Sequence, residues 1–133
     1  MVSGLSKGST VGERAVKLTS LNKAKYIAKL SDNKKGKNII VLDLRKTGFI
    51  SDFFIIVSGT SDTHVRAIAN YIEETLKIKG ERISHVERDT KDTWILLDYI
   101  DVVVNVFHEE TRKYYNLERL WGDSKIIKWQ KKK

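Results

Sequence analysis

Two short runs, Asn38 to Leu44 (NIIVLDL) and Phe53 to Ser58 (FFIIVS), are apolar at almost every position and rich in β-branched side chains. A strand with one face in water alternates apolar and polar residues, because successive side chains point to opposite faces. A run without alternation suits a strand buried on both faces, and such a strand needs structure packed above and below it. A chain of 133 residues can supply one compact core and is too short for two ordinary domains.

The segments around these runs supply the covering layers. From Glu13 to Leu30 apolar residues recur at helical intervals (Val16, Leu18, Leu21, Ala24, Ile27, Ala28, Leu30), predicting an amphipathic first helix with a lysine-rich outer face. Asp32 to Lys37 is polar and contains Gly36, which should stop that helix. Ser61 is placed to cap a second helix, Asp62 sits at its positive end, and Val65, Ile68, Ala69, Ile72 and Leu76 form its buried stripe before Gly80 ends it. Ile83 to Val86, Trp94 to Leu97 and Val102 to Phe107 read as three more strands, and Glu109 to Trp121 as a helix broken near Asn116. The fold class is therefore α/β: a mixed five-stranded sheet with flanking helices.

Composition narrows the function. The formal net charge is +8, but it is unevenly spread. Residues 1–38 hold nine basic and two acidic side chains, residues 122–133 five and one, and the stretch between them eleven and fourteen. An acidic body thus carries two basic ends. The ends suit RNA phosphates and the body a basic protein, while a run such as Lys131–Lys133 serves equally well as a solubilising end. There is no cysteine, which removes disulfides, thiolate metal sites and thiol nucleophiles and fits a cytoplasmic protein. No apolar run approaches the length of a membrane span, and Met1 to Thr10 lacks the apolar core of a secretory signal.

Catalytic motifs fail on spacing. His108-Glu109-Glu110-Thr111-Arg112 begins like the zinc-protease HExxH helix but places arginine where the second imidazole is needed, so a strand-end or helix-cap role is expected for His108. His64 and His85 are isolated, no Gly-x-Ser-x-Gly elbow is present, and Gly36-Lys37-Asn38 lacks the rest of a P-loop. A nucleotidyltransferase reading would use Ser58-Gly59-Thr60 with Asp98 and Asp101. Acids sharing Mg²⁺ on a strand must be two apart, and these are three apart, which sends them to opposite faces. A tight hairpin turn with aspartates at its ends accounts for Asp98-Tyr99-Ile100-Asp101 better. No enzyme activity, metal or cofactor is expected.

The same residues resemble the RsfS/Iojap family of ribosomal silencing factors. The resemblance is carried by Val41-Leu42-Asp43-Leu44, the run Asp52 to Asp62 (DFFIIVSGTSD), Trp94 to Tyr99 (WILLDY), Asp101 to Val104, Val106 to Glu110, and Tyr115 to Trp121 (YNLERLW). It spans about residues 22–122 and divides the chain into a basic N-terminal extension (1–20), the domain (21–122) and a lysine-rich tail (123–133). It implies a nucleotidyltransferase-like fold without catalytic residues, and binding to the large ribosomal subunit through its ribosomal protein number fourteen. Occupying that protein would block subunit joining and repress translation. It also implies a homodimer. Ile100 stands where the family commonly has a turn glycine, which puts the turn type in question because a branched residue disfavours positive φ, and Asn105 stands where histidine is common.

The residues expected to bind the partner are Trp94, Asp98, Asp101, Tyr115, Leu120 and Trp121, aromatic anchors beside acids that suit a basic ribosomal protein. The competing role for Tyr115 and Trp121 is to cap the core. The basic ends are expected to reach ribosomal RNA.

Overall fold

The computed structural model describes residues 18–115 and 124–130. In chain order the elements are α1 (Ser20–Asn33), β1 (Lys37–Asp43), β2 (Phe53–Gly59), α2 (Asp62–Ile78), β3 (His85–Arg88), β4 (Trp94–Asp98), β5 (Val102–His108), α3 (Glu109–Tyr115) and β6 (Lys125–Ile126). The strands form one mixed sheet in the order β3-β4-β5-β2-β1-β6, in which β2 and β5 pair parallel and every other neighbour antiparallel.

The helices begin and end where side chains can satisfy their backbone. Thr19, in extended conformation, caps α1 by accepting the Asn22 N–H at 3.1 Å, so the helix begins at Ser20, and Leu18 and Thr19 are outside it; of the helix expected from Glu13, residues 13–17 lie outside the described residues. The chain leaves α1 through Gly36, where a Cβ would stand 2.5 Å from Val57 Cγ2 and 2.9 Å from the Ser31 carbonyl oxygen. Glycine is needed there for close approach. Ser61 Oγ accepts the His64 N–H at 3.0 Å and caps α2, whose expected stripe is buried in full. Gly80 closes α2 at φ +86°, a left-handed position that glycine takes without strain.

Helices α1 and α2 cover one face of the sheet. Val41, Ile55, Val57, Ile95, Leu97, Val104 and Val106 point at them and join Ala24, Ile27, Val65, Ile68, Ile72 and Leu76 in the main core. The opposite face carries a smaller buried cluster of Leu42, Leu44, Ile56 and Phe107. The sheet has one strand more than the five expected from the sequence, because Lys125–Ile126 pairs with Leu42 and Asp43 of β1. Ile127 and Trp129 then pack against the main core. The lysines of this segment hid a strand of two residues.

A charged cluster ties the parts together. Lys23 lies inside, not on a lysine-rich outer face: its Nζ is 2.8 Å from Glu81 and 2.9 Å from Asp101, with the Lys23 and Glu81 side chains about 5% exposed. It joins α1 to the segment after α2 and to the β4–β5 turn. Burial pulls the Lys23 pKa down, but the hydrogen bonds and charges of the two carboxylates outweigh it and hold the ammonium above the ordinary 10.5. Nearby Tyr99, 4% exposed, is raised well above 10, first by burial and then by the charges of Glu73 and Glu81.

In the β4–β5 turn Ile100 stands at φ +76°, with its N–H donated to Asp98 Oδ1 at 2.7 Å. The chain accepts at a branched residue the conformation for which glycine is the ordinary choice. Such a position costs about 1–3 kcal/mol. Replacing Ile100 with glycine should therefore raise unfolding stability by about 1 kcal/mol after glycine's own entropic cost. A shift of the urea midpoint to higher concentration with an unchanged slope checks it.

Lys23→Met should destabilise the fold by about 3 kcal/mol, since it leaves two carboxylates in a half-dry site without their cation. Both Lys23 and Tyr99 hold their proton more tightly folded than unfolded. Folding stability is therefore at its full value below about pH 10 and falls as pH rises beyond it. Urea titrations from neutral to alkaline pH should show that fall, and a smaller one in Lys23→Met.

Candidate functional site

The face of the sheet away from α1 and α2 is built by cross-strand registers. One row runs Glu87, Leu96, Asn105, Ile56 and Ile40; the next runs His85, Asp98, Val103, Phe54, Leu42 and Ile126; a third pairs Trp94 with Phe107 and Ser58. Paired residues share a face, so these side chains stand together. Leu42, Ile56, Asn105 and Phe107 are buried, whereas Trp94, Leu96, Val103, Phe54 and Ile40 are half-buried. Beyond the β1 end, Phe49 is 54% and Ile50 91% exposed, and with Leu44, Phe54 and Val103 they line an apolar depression of about 230 Å³.

Trp94 is fixed rather than loose. Its ring stacks on Phe107 with centroids 6.2 Å apart, and its Nε1–H donates to Asn105 Oδ1 at 3.0 Å. Its backbone is held by Asp89, whose carboxylate accepts the N–H groups of Thr93 (2.7 Å) and Trp94 (3.2 Å) and bonds the Thr93 hydroxyl. Burial would raise the Asp89 pKa, but these donors prevail and keep it below the ordinary carboxylate value. At the far end of the face Arg112 of α3 donates to Ser58 Oγ (2.8 Å) and to the Asn38 carbonyl (2.6 Å), anchoring the helix across β1 and β2.

Acids flank the strip on its β3 side. Glu87 is exposed and pairs with His85 at 2.9 Å, and Asp98 is half-buried. Of the expected binding residues, Trp94 and Asp98 stand on this face two register rows apart. Asp101 does not: it sits in the turn and reaches back to Lys23 on the helical side. The two aspartates stand at the ends of the hairpin turn, as expected, and each is engaged, Asp98 by its own turn and Asp101 by the ammonium. Tyr115 ends α3, while Leu120 and Trp121 lie outside the described residues. His108 ends β5 and its Nδ1 accepts the Glu110 N–H at 3.1 Å, the strand-end and cap role expected of it. Among the described residues no group of three His, Asp or Glu side chains could hold a metal ion, and no helix is long and apolar enough to cross a membrane.

A family model described as "Ribosomal silencing factor during starvation" matches residues 17–133. The chain belongs to the RsfS family. The match reaches beyond residues 22–122 and takes in the segment that forms β6. The ribosomal silencing factor RsfS of Bacillus subtilis is 39% identical over 102 residues, which cover 77% of this chain and 86% of that protein. The RsfS protein of Halalkalibacterium halodurans is 40% identical over 96 residues, covering 72% and 82%. A crystal structure of a Chromobacterium violaceum protein matches with a TM-score of 0.75 at 34% identity, covering 79% of this chain and 88% of that one.

Leu96, Val103, Phe54 and Ile40 were not singled out from the sequence. Only the register could have found them, because their strands are apolar on both faces and show no alternation.

Trp94→Phe keeps the ring stack but leaves the Asn105 amide oxygen buried without its donor. It should cost about 1–2 kcal/mol, and Asn105→Leu in the same chain should recover part of the loss. A double-mutant cycle by urea unfolding measures both.

Proposed function

We propose that this chain binds the large ribosomal subunit through the second face of its sheet. By occupying ribosomal protein number fourteen it keeps the small subunit from joining and so represses translation in the cytoplasm. The observation that supports this most is the half-buried strip of Trp94, Leu96, Val103 and Phe54, in a chain that belongs to a ribosomal silencing family. Half-buried aromatic and aliphatic side chains on strands keep little conformational entropy to lose, which favours tight docking. Glu87 and Asp98 at the rim suit a basic ribosomal protein. Tyr115, Leu120 and Trp121 are proposed to extend the same surface.

The mode of action is occupancy and not catalysis. The basic termini, residues 1–20 and the lysines of 123–133, are proposed to touch ribosomal RNA phosphates, and the free protein to form a homodimer that light scattering at tens of micromolar would detect.

Co-sedimentation with purified large subunits, followed by addition of small subunits, tests the reading. Trp94→Ala and Leu96→Asp, each checked for folding by urea titration, should lose about 2 kcal/mol or more of binding, near thirtyfold in Kd, and should restore subunit joining. Deleting Lys131–Lys133 should cost much less and flatten the salt dependence. Folded variants at both strip positions that still bind and still block joining would overturn the proposal.

A further inference from the structure

Behind the β4–β5 turn, at the C-terminal end of α2, lies a cavity of about 460 Å³, a volume in the range of small-ligand pockets. Its walls include Glu73, Lys77, Glu81, Arg82, Ile83 and Tyr99. The sheet face described above does not use it.

Two features distinguish this cavity from an ordinary surface dent. Tyr99 is 4% exposed, yet its hydroxyl is buried with no hydrogen-bond partner. A hydroxyl is both donor and acceptor, and buried hydroxyls are ordinarily paired. The second feature is charge. Glu73 and Glu81 lie near enough to act on the phenol, and Glu81 is 6% exposed, fixed in place by Lys23 at 2.8 Å. Lys77 and Arg82 bring two exposed cations to the same cavity. Glu73, the Glu81 oxygen not held by Lys23 and, once its ring turns toward the cavity, the Tyr99 phenol can accept from an ammonium, while the exposed guanidinium and ammonium suit a carboxylate. Ile83 adds an apolar part to the wall.

We propose that this cavity is a binding site for a free α-amino acid. The ligand's ammonium lies toward Glu73, Glu81 and the Tyr99 hydroxyl, its carboxylate lies toward Arg82 and Lys77, and its side chain lies against Ile83. A zwitterion of that size is the ligand class that meets both signs of charge in one small cavity. A simple cation would leave Arg82 and Lys77 opposing it, and a simple anion would face Glu73, Glu81 being already paired with Lys23.

The test is titration calorimetry of the full chain with the standard L-amino acids one at a time, each bound one compared with its methyl ester and its N-acetyl form. At least one free amino acid should bind with a Kd below about 5 mM, and both blocked forms should bind about tenfold more weakly or worse. Tyr99→Phe should weaken binding about fivefold or more while leaving the unliganded protein at least as stable, since the hydroxyl it removes has no partner. Arg82→Gln should weaken the free amino acid but not its methyl ester. Absence of binding by every amino acid, equal binding of the blocked forms, or undiminished binding to Tyr99→Phe would overturn the proposal, and water would then be the cavity's occupant.

Discussion

The parallel ladder between β2 and β5, running from Phe53 opposite Val102 to Gly59 opposite His108, sets the conditions for everything around it. Parallel neighbours cannot be joined by a tight turn, so the chain must cross from one end of the sheet to the other between them. Here the crossing consists of α2 followed by the β3–β4 hairpin, and the hairpin places β4 on the free side of β5. Two adjacent strands in the middle of the sheet must also be covered. Helices α1 and α2 do this on one side, and that is why the main core draws on the odd-numbered valines and isoleucines of β2 alongside the even-numbered ones of β5.

The Lys23 cluster acts at a different scale. Its three members come from α1, from the residue after the α2 cap glycine, and from the turn that joins β4 to β5. A buried ion pair contributes little net stability, because desolvating the charges consumes most of the attraction. Its effect is on placement: any shift of α1 against the hairpin would strand a buried charge. The same cluster fixes the turn in which Ile100 is forced to positive φ. The strain at Ile100 persists because Asp98 holds one side of the turn through the Ile100 N–H and Lys23 holds the other through Asp101.

Much of this was legible in the sequence, and the parts that were not share a physical cause. The two continuous apolar runs announced two strands, the second buried at every position but Phe54 and the first only at Val41, Leu42 and Leu44, and Ser61, Asp62 and Gly80 marked the second helix to within a residue. Periodicity alone placed the start of α1 too early, because apolar spacing continues through Val16 and Leu18 whereas the hydrogen bond from Asn22 to Thr19 sets the boundary. Lys125–Ile126 passed for a tail, since two residues carry no alternation and five lysines dominate the segment. Lys23 was counted among surface cations because its partners stand 58 and 78 residues away, out of reach of any local pattern. The site divided in the same way. Trp94 and Asp98 could be paired from strand period, but Asp101 turned to the helical side, and Leu96, Val103 and Phe54 emerged only once the register was known.

The two faces of the sheet therefore answer to different demands. The helical face is closed by complementary packing, and a substitution there is felt as lost stability. On the other face the buried members, Leu42, Ile56 and Phe107, form a small cluster that supports a ring of half-buried neighbours. Trp94 joins the two groups: its indole is committed to Phe107 and Asn105, yet the residue is only half-buried and so open to the partner proposed for this face. A residue committed in both directions cannot be read from a single truncation, because loss of binding and loss of support coincide. Leu96, with no ring contact or side-chain hydrogen bond to lose, separates them. An acid placed there disturbs the half-buried strip without removing either partner of the Trp94–Asn105 bond, so a binding defect in Leu96→Asp with unfolding unchanged assigns the strip to recognition and not to the core.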